Sequence, residues 1–133
     1  MPWGHQTGWQ RQALPKPEIL SYPLETNVID SAVINAAGIA ADASGPYAGR
    51  RYLLAGTILS KRGDSTYERY VSGGGQNVAG ILFDTVEFAD ATSVSNEPVA
   101  FVRRNVSFDS TKIIDFGTYT AVVKASLSTC EFI

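Results

Sequence analysis

The chain has 133 residues, 44% of them hydrophobic and 18% charged, and a formal net charge of −2. That length and apolar content suit one domain with its own core and exclude a disordered polymer. The small, scattered charge argues against a nucleic-acid partner, and no apolar run is long enough to cross a bilayer, so no membrane partner is expected.

Residues 1–27 read as a segment distinct from the rest. Pro2, Pro15, Pro17 and Pro23 prevent a continuous helix and bias their neighbours to extended backbone. Spaced among them are Trp3, Trp9, Leu14, Ile19, Leu20 and Tyr22, more large apolar groups than a simple tail carries. Extended backbone with spaced anchors is what a docking arm needs, and Trp3 and Trp9 are the expected hot spots, since indoles bury large area at modest entropic cost. The alternative is that this segment wraps back over its own domain. The stretch MPWGHQTGWQ has no apolar core of a secretory signal, so the expected location is the cytoplasm or an assembly built there.

The remainder, 28–133, reads as one mostly β domain. Residues 28–43 are an extended lead-in, and SGPYAGRR is a turn punctuated by Gly45-Pro46. RYLLAGTILS (51–60) predicts a buried strand with a bend at Gly56, KRGDST a turn, and TYERYV (66–71) the return strand of a hairpin. SGGGQN is a loop. VAGILFDTVEF (78–88) predicts two short strands, or one bent at Gly80 or Asp84, and PVAFVRRNVSFD (98–109) a further strand. Tyr119, Val122, Val123 and Leu127 have helical spacing, which predicts a short helix over about 118–128 before a terminal strand CEFI. The basic pairs Arg50-Arg51 and Arg103-Arg104 are expected as solvated strand-end charges, and Asp84, Glu87 and Asp90 as solvent-side acids around a turn.

Nothing in the chain points to catalysis. One histidine, His5, and one cysteine, Cys130, cannot supply a Cys/His zinc site, and any nucleophile–histidine pair would have to use His5, outside the expected core. Gly73-Gly74-Gly75 lacks the spacing of a phosphate loop and reads as a hairpin tip. No enzyme activity and no cofactor is expected. A single cysteine also excludes an intramolecular disulfide, which leaves oligomerisation as a route to extra stability.

Several short motifs then follow in a distinctive order: Ala55-Gly56-Thr57-Ile58-Leu59, a return strand from Tyr67 to Tyr70, Gly73 to Gly75, Ala79-Gly80-Ile81-Leu82, Ala89-Asp90-Ala91, and Val102-Arg103-Arg104-Asn105-Val106. Their order and spacing over residues 51–133 resemble the lambda-type head decoration (capsid cement) proteins of tailed phages and their prophage relatives. Asn105 stands where relatives often have glycine. The resemblance implies a mostly β (small α+β), tulip-like domain with one short C-terminal helix and an extended N-terminal arm. It further implies a homotrimer at threefold and quasi-threefold positions on the outer surface of the expanded capsid, with the major capsid protein as partner. The alternative is another structural virion protein, such as a tail, fibre or head–tail connector module; an enzyme would require a concave pocket with paired acids.

Overall fold

The structure, a computed structural model, describes residues 13–21, 29–36, 39–72, 77–88 and 96–133. It is mostly β with one short helix. Nine strands are described: β1 (Ile29–Asn35), β2 (Arg51–Leu53), β3 (Ile58–Lys61), β4 (Tyr67–Arg69), β5 (Val78–Leu82), β6 (Val86–Phe88), β7 (Asn96–Val102), β8 (Ser107–Phe108) and β9 (Glu131–Phe132); the helix is α1 (Phe116–Ser126). Five strands close a barrel in the order β1-β4-β3-β5-β7. β7 runs antiparallel to β1 from Ile29↔Val102 to Asn35↔Asn96, and a parallel contact at Ile34↔Tyr67 joins β1 to β4. β2 pairs with β6, and β8 with β9, as separate two-stranded sheets.

Alternation along the strands sends side chains to two different cores. Leu59, Leu82 and Phe101 pack with Ala32, Ile34, Leu53 and Phe88. Their sequence neighbours Ile58, Ile81 and Val102 pack with Phe108, Ile113, Val123 and Leu127. Strands β3, β5 and β7 are thus covered on both faces, which is why their sequences read as apolar runs rather than clean alternation. Burying one such aliphatic side chain is worth about 1.5–3 kcal/mol.

Two glycines make this packing fit. Gly56 has φ +97°, and a Cβ there would fall on the carbonyl oxygen of Lys112. In β5, a Cβ on Gly80 would lie 2.5 Å from the Phe101 ring, so the missing side chain lets that ring cross the strand. Asp-Ser-Thr occurs twice, at 64–66 and 109–111, and makes the same side-chain hydrogen bonds each time on different backbones, Ser65 being left-handed (φ +71°) and Ser110 opening a 3-10 turn. The Asp Oδ1 accepts from the Thr N–H (3.1 Å) and the Thr Oγ1 (2.6 Å), closing a turn.

The sequence-based expectations hold for the element types and shift in detail. Residues 51–60 form two strands rather than one, because Leu54 O accepts from Thr57 N (3.1 Å) and the chain turns at Gly56. Residues 78–88 form two strands, and 98–109 likewise divides, with Arg103, Arg104 and left-handed Asn105 (φ +56°) in the turn. Asparagine is among the few non-glycine residues that tolerate that conformation. The helix begins two residues earlier than its spacing predicts, after Asp115 at φ +61°, and ends before Leu127, whose N–H still reaches Val123 O (2.9 Å). The loop at 73–76 lies outside the described residues.

The pair Arg50-Arg51 is a correction. Arg51 is only 5% exposed and donates to the carbonyl oxygens of Ile39 (2.8 Å) and Ala36. Arg50 forms a two-pronged pair with Glu87 at 2.8 Å for each prong, linking the start of β2 to β6. Neither arginine is a loose surface charge, and Glu87 is half-buried rather than on the solvent side of a turn. Asp84 is exposed as expected, and Asp90 lies outside the described residues.

Gly56→Ala is expected to lower stability by roughly 2–5 kcal/mol, from left-handed strain plus collision with backbone. Gly63→Ala, in open space, changes it by under about 1 kcal/mol. Urea unfolding midpoints with unchanged m-values check both; equal effects of the two substitutions would contradict the assignment.

Candidate functional site

Residues 13–21 lie as a strap against the domain, and their backbone is tied at three points. Pro15 O accepts from Thr85 Oγ1 (2.6 Å), Ile19 O from Asp109 N (2.7 Å), and Ser21 donates through both N and Oγ to Ser107 O (2.9 and 3.1 Å). Leu20 makes one isolated antiparallel bridge to Phe108, at the edge of the β8–β9 sheet. Ile19 is 1% exposed and packs in the core with Phe108 and Val123. Its Cγ2 sits within 3.5 Å of where a Gly56 Cβ would stand.

This divides the six expected anchor residues. Ile19 belongs to the domain's own core and Leu20 packs against it, so neither is on an arm free to bind a partner. The folded unit therefore takes in part of the 1–27 segment, and the wrapping alternative describes residues 13–21. Leu14 is half-buried. Trp3, Trp9 and Tyr22 lie outside the described residues.

Away from the strap residues, the domain carries a groove of about 300 Å³, none of whose lining comes from residues 13–21. Its apolar wall comes from Ile39, Tyr52, Leu54, Val71 and Ile114. Val71 is 59% and Ile114 37% exposed. Its polar lining includes Asp42, Glu68, Arg69 and Asp115. Asp42 accepts a 2.5 Å hydrogen bond from the Tyr52 hydroxyl; that bond, with burial, pushes the tyrosine's pKa up. Glu68 is held by Arg62 at 3.1 Å. Sequence reading missed this groove because its walls come from separate turns. The available signal was two apolar residues, Val71 and Ile114, standing just outside the regular elements.

A second, more open cleft of about 430 Å³ lies between Lys61, Tyr67, Phe101, Arg103, Arg104 and Leu127. Its two arginines lean on one acid, Asp30, at 3.0 and 3.8 Å. Both are half-exposed, a setting in which ion pairs contribute little to stability. This pair stands as the solvated turn charge expected of it.

Among the described residues, no three His, Cys, Asp or Glu side chains are grouped so as to hold a metal ion, and no helix is long and apolar enough to cross a membrane. Comparison with protein families, curated proteins and solved structures finds no match to this chain.

Two outcomes test this arrangement. Ile19→Ala is expected to cost about 2–5 kcal/mol of unfolding free energy, as for other buried aliphatic truncations. A freely hanging segment would show no change in the denaturation midpoint. The Cys130 thiol is pushed up by burial, only partly offset by hydrogen bonds at Val106, Thr129 and Asn105. Raising the pKa keeps the protonated form dominant to higher pH, so alkylation by iodoacetamide should be slower than for a free cysteine at neutral pH and should inflect at higher pH.

Proposed function

We propose that this chain is a capsid decoration protein. In this reading it binds the outer surface of an expanded phage capsid as trimers at threefold and quasi-threefold positions, with the major capsid protein as partner, and stabilises the shell against internal DNA pressure. The observation that carries the reading is the clamp at Ile19. Both tryptophans of the chain, Trp3 and Trp9, lie upstream of a base that is hydrogen-bonded and core-packed into the β-domain. A twelve-residue segment leaving such a base reaches at most about 40 Å, enough to engage a neighbouring subunit.

The resemblance over residues 51–133 adds support, because its motif residues are ones on which the domain depends. Gly56 and Gly80 admit no side chain, and Asn105 holds a left-handed turn. The tulip-like description of the domain belongs with this reading.

The mechanism follows from linkage. A protein that binds only the assembled shell stabilises it by mass action. Three arms on one trimer act together: once one is bound, the others see a high local concentration, and modest single-arm affinity becomes tight attachment. Strand addition to an exposed capsid edge is the contact an extended, proline-punctuated segment suits, with indoles as anchors.

The test is saturable binding to undecorated, expanded capsid shells, comparing the full chain with one lacking residues 1–12. The cut falls at residue 12 because removal through residue 24 would also delete Ile19 from the core. Binding in multiples of three per junction, lost on truncation, is expected, and Trp9→Ala should cost about 2 kcal/mol, roughly thirtyfold in affinity. Binding that survives truncation would move the contact to the β-domain, and no binding to any such shell would sink the proposal.

A further inference from the structure

We propose that copies of this chain associate head to tail, the acidic groove of one copy meeting the cationic cleft of the next.

Charge complementarity is the first argument. The described lining of the cleft carries Lys61, Arg103 and Arg104 and no acid. Asp30 pairs with both arginines, at 3.0 and 3.8 Å, so one carboxylate stands against three cations. The groove has the opposite sign: Asp42, Glu68 and Asp115 stand against Arg69 within it and Arg62, which holds Glu68 at 3.1 Å. The three cations of the cleft and Asp115 of the groove are all exposed in the single chain. Opposite fields of this kind steer two surfaces together and fix their register.

Placement is the second argument. Asp115, in the groove, is the N-cap of α1, while Ser126 and Leu127, in the cleft, are the last residue and C-cap of the same helix. A helix of eleven residues is about 16 Å long. The two surfaces are held apart by it, so a copy cannot close its groove on its own cleft and instead offers a surface to each of two neighbours. Between the charges both surfaces are apolar, with exposed Val71 and Ile114 in the groove and half-buried Tyr67 and Ala79 in the cleft. An apolar centre within a polar rim is the usual make-up of a protein interface. Contact between two different surfaces is heterologous, and it closes to a ring or runs on as a filament. Closure at three rests on the capsid-decoration reading; the contact itself does not.

Sedimentation equilibrium of the full chain tests this. At about 10 mM salt, where charges act over about 30 Å, the mass should rise above 14.3 kDa with concentration. At about 1 M salt, where they act over about 3 Å, the association should weaken by about tenfold or more. Lys61→Glu/Arg104→Glu reverses the cleft, and Val71→Lys/Asp115→Asn alters the groove. All four positions are exposed, and asparagine tolerates the left-handed backbone at 115 (φ +61°), so both variants should keep the thermal transition. Each alone should sediment as a monomer. An equimolar mixture should give a one-to-one heterodimer and nothing larger, because one sound groove and one sound cleft remain between them. In a second measurement, on the unaltered chain, a carbodiimide joins an amine to a carboxylate in direct contact. It should link Lys61 of one copy to Glu68 or Asp115 of another, identified by mixing isotopically light and heavy protein. A chain that stays monomeric at low salt, variants that associate like the unaltered chain, a mixture that stays monomeric, or intermolecular links that avoid both surfaces would each overturn the proposal. No capsid enters these measurements, so their failure and that of the capsid reading are distinguishable.

Discussion

The left-handed backbone at Gly56 is the constraint on which the arrangement of the chain depends. Four parts of the sequence meet there. Gly56 N donates to Leu82 O (2.9 Å), Gly56 O accepts from Ile114 N (3.0 Å), Lys112 O presses against the bare Cα, and Ile19 packs alongside. The turn separates β2 from β3, sets the entry of α1 through Ile114, and leaves the slot that Ile19 fills. A side chain at this position would push Lys112 away and loosen the strap with it, so local backbone chemistry and long-range packing are one requirement here.

From this point the domain builds outward in two layers. Alternate residues of β3, β5 and β7 feed the barrel core on one face and, on the other, the core shared with α1, β8 and the strap. The strap runs over the surface and is anchored in the second core through Ile19, with Leu20 packed against it. Ile19 and the hydrogen bonds on either side of it tie residues 13–21 to the domain, and both indoles lie upstream in the sequence.

Charge is placed with the same economy. Arg50 and Glu87 join β2 and β6 through a two-pronged pair, and Tyr47 lies under the same guanidinium at 5.6 Å. Arg51 points the other way and ties down the backbone at Ala36 and Ile39. A guanidinium can be buried in this way because its donors match several carbonyl oxygens at once. Adjacent residues at the entry to β2 so serve opposite directions, and an arginine pair that reads as a solvated charge run does two distinct structural tasks.

The sequence by itself determined the composition of the elements. The apolar stretches around 51–60, 78–88 and 98–109 read as strands buried in a small β domain, the spacing of Tyr119, Val122, Val123 and Leu127 read as a short helix, and the bend at Gly56 was legible from glycine in an apolar run. Helix limits slipped by two residues because Asp115 and Leu127 adopt non-helical conformations that periodicity does not encode. Only the tertiary structure decided where each piece packs. Proline spacing is equally compatible with an arm and a strap, and whether Ile19 meets a partner or its own core turns on the slot at Gly56 and the donor at Asp109. Arg51 looked solvated because its acceptors at Ala36 and Ile39 come from a different stretch of chain. The groove lined by Val71 and Ile114 shows the same limit: two apolar residues outside the regular elements hinted at it, but the pairing of distant segments that brings its walls together is not recorded in any local pattern.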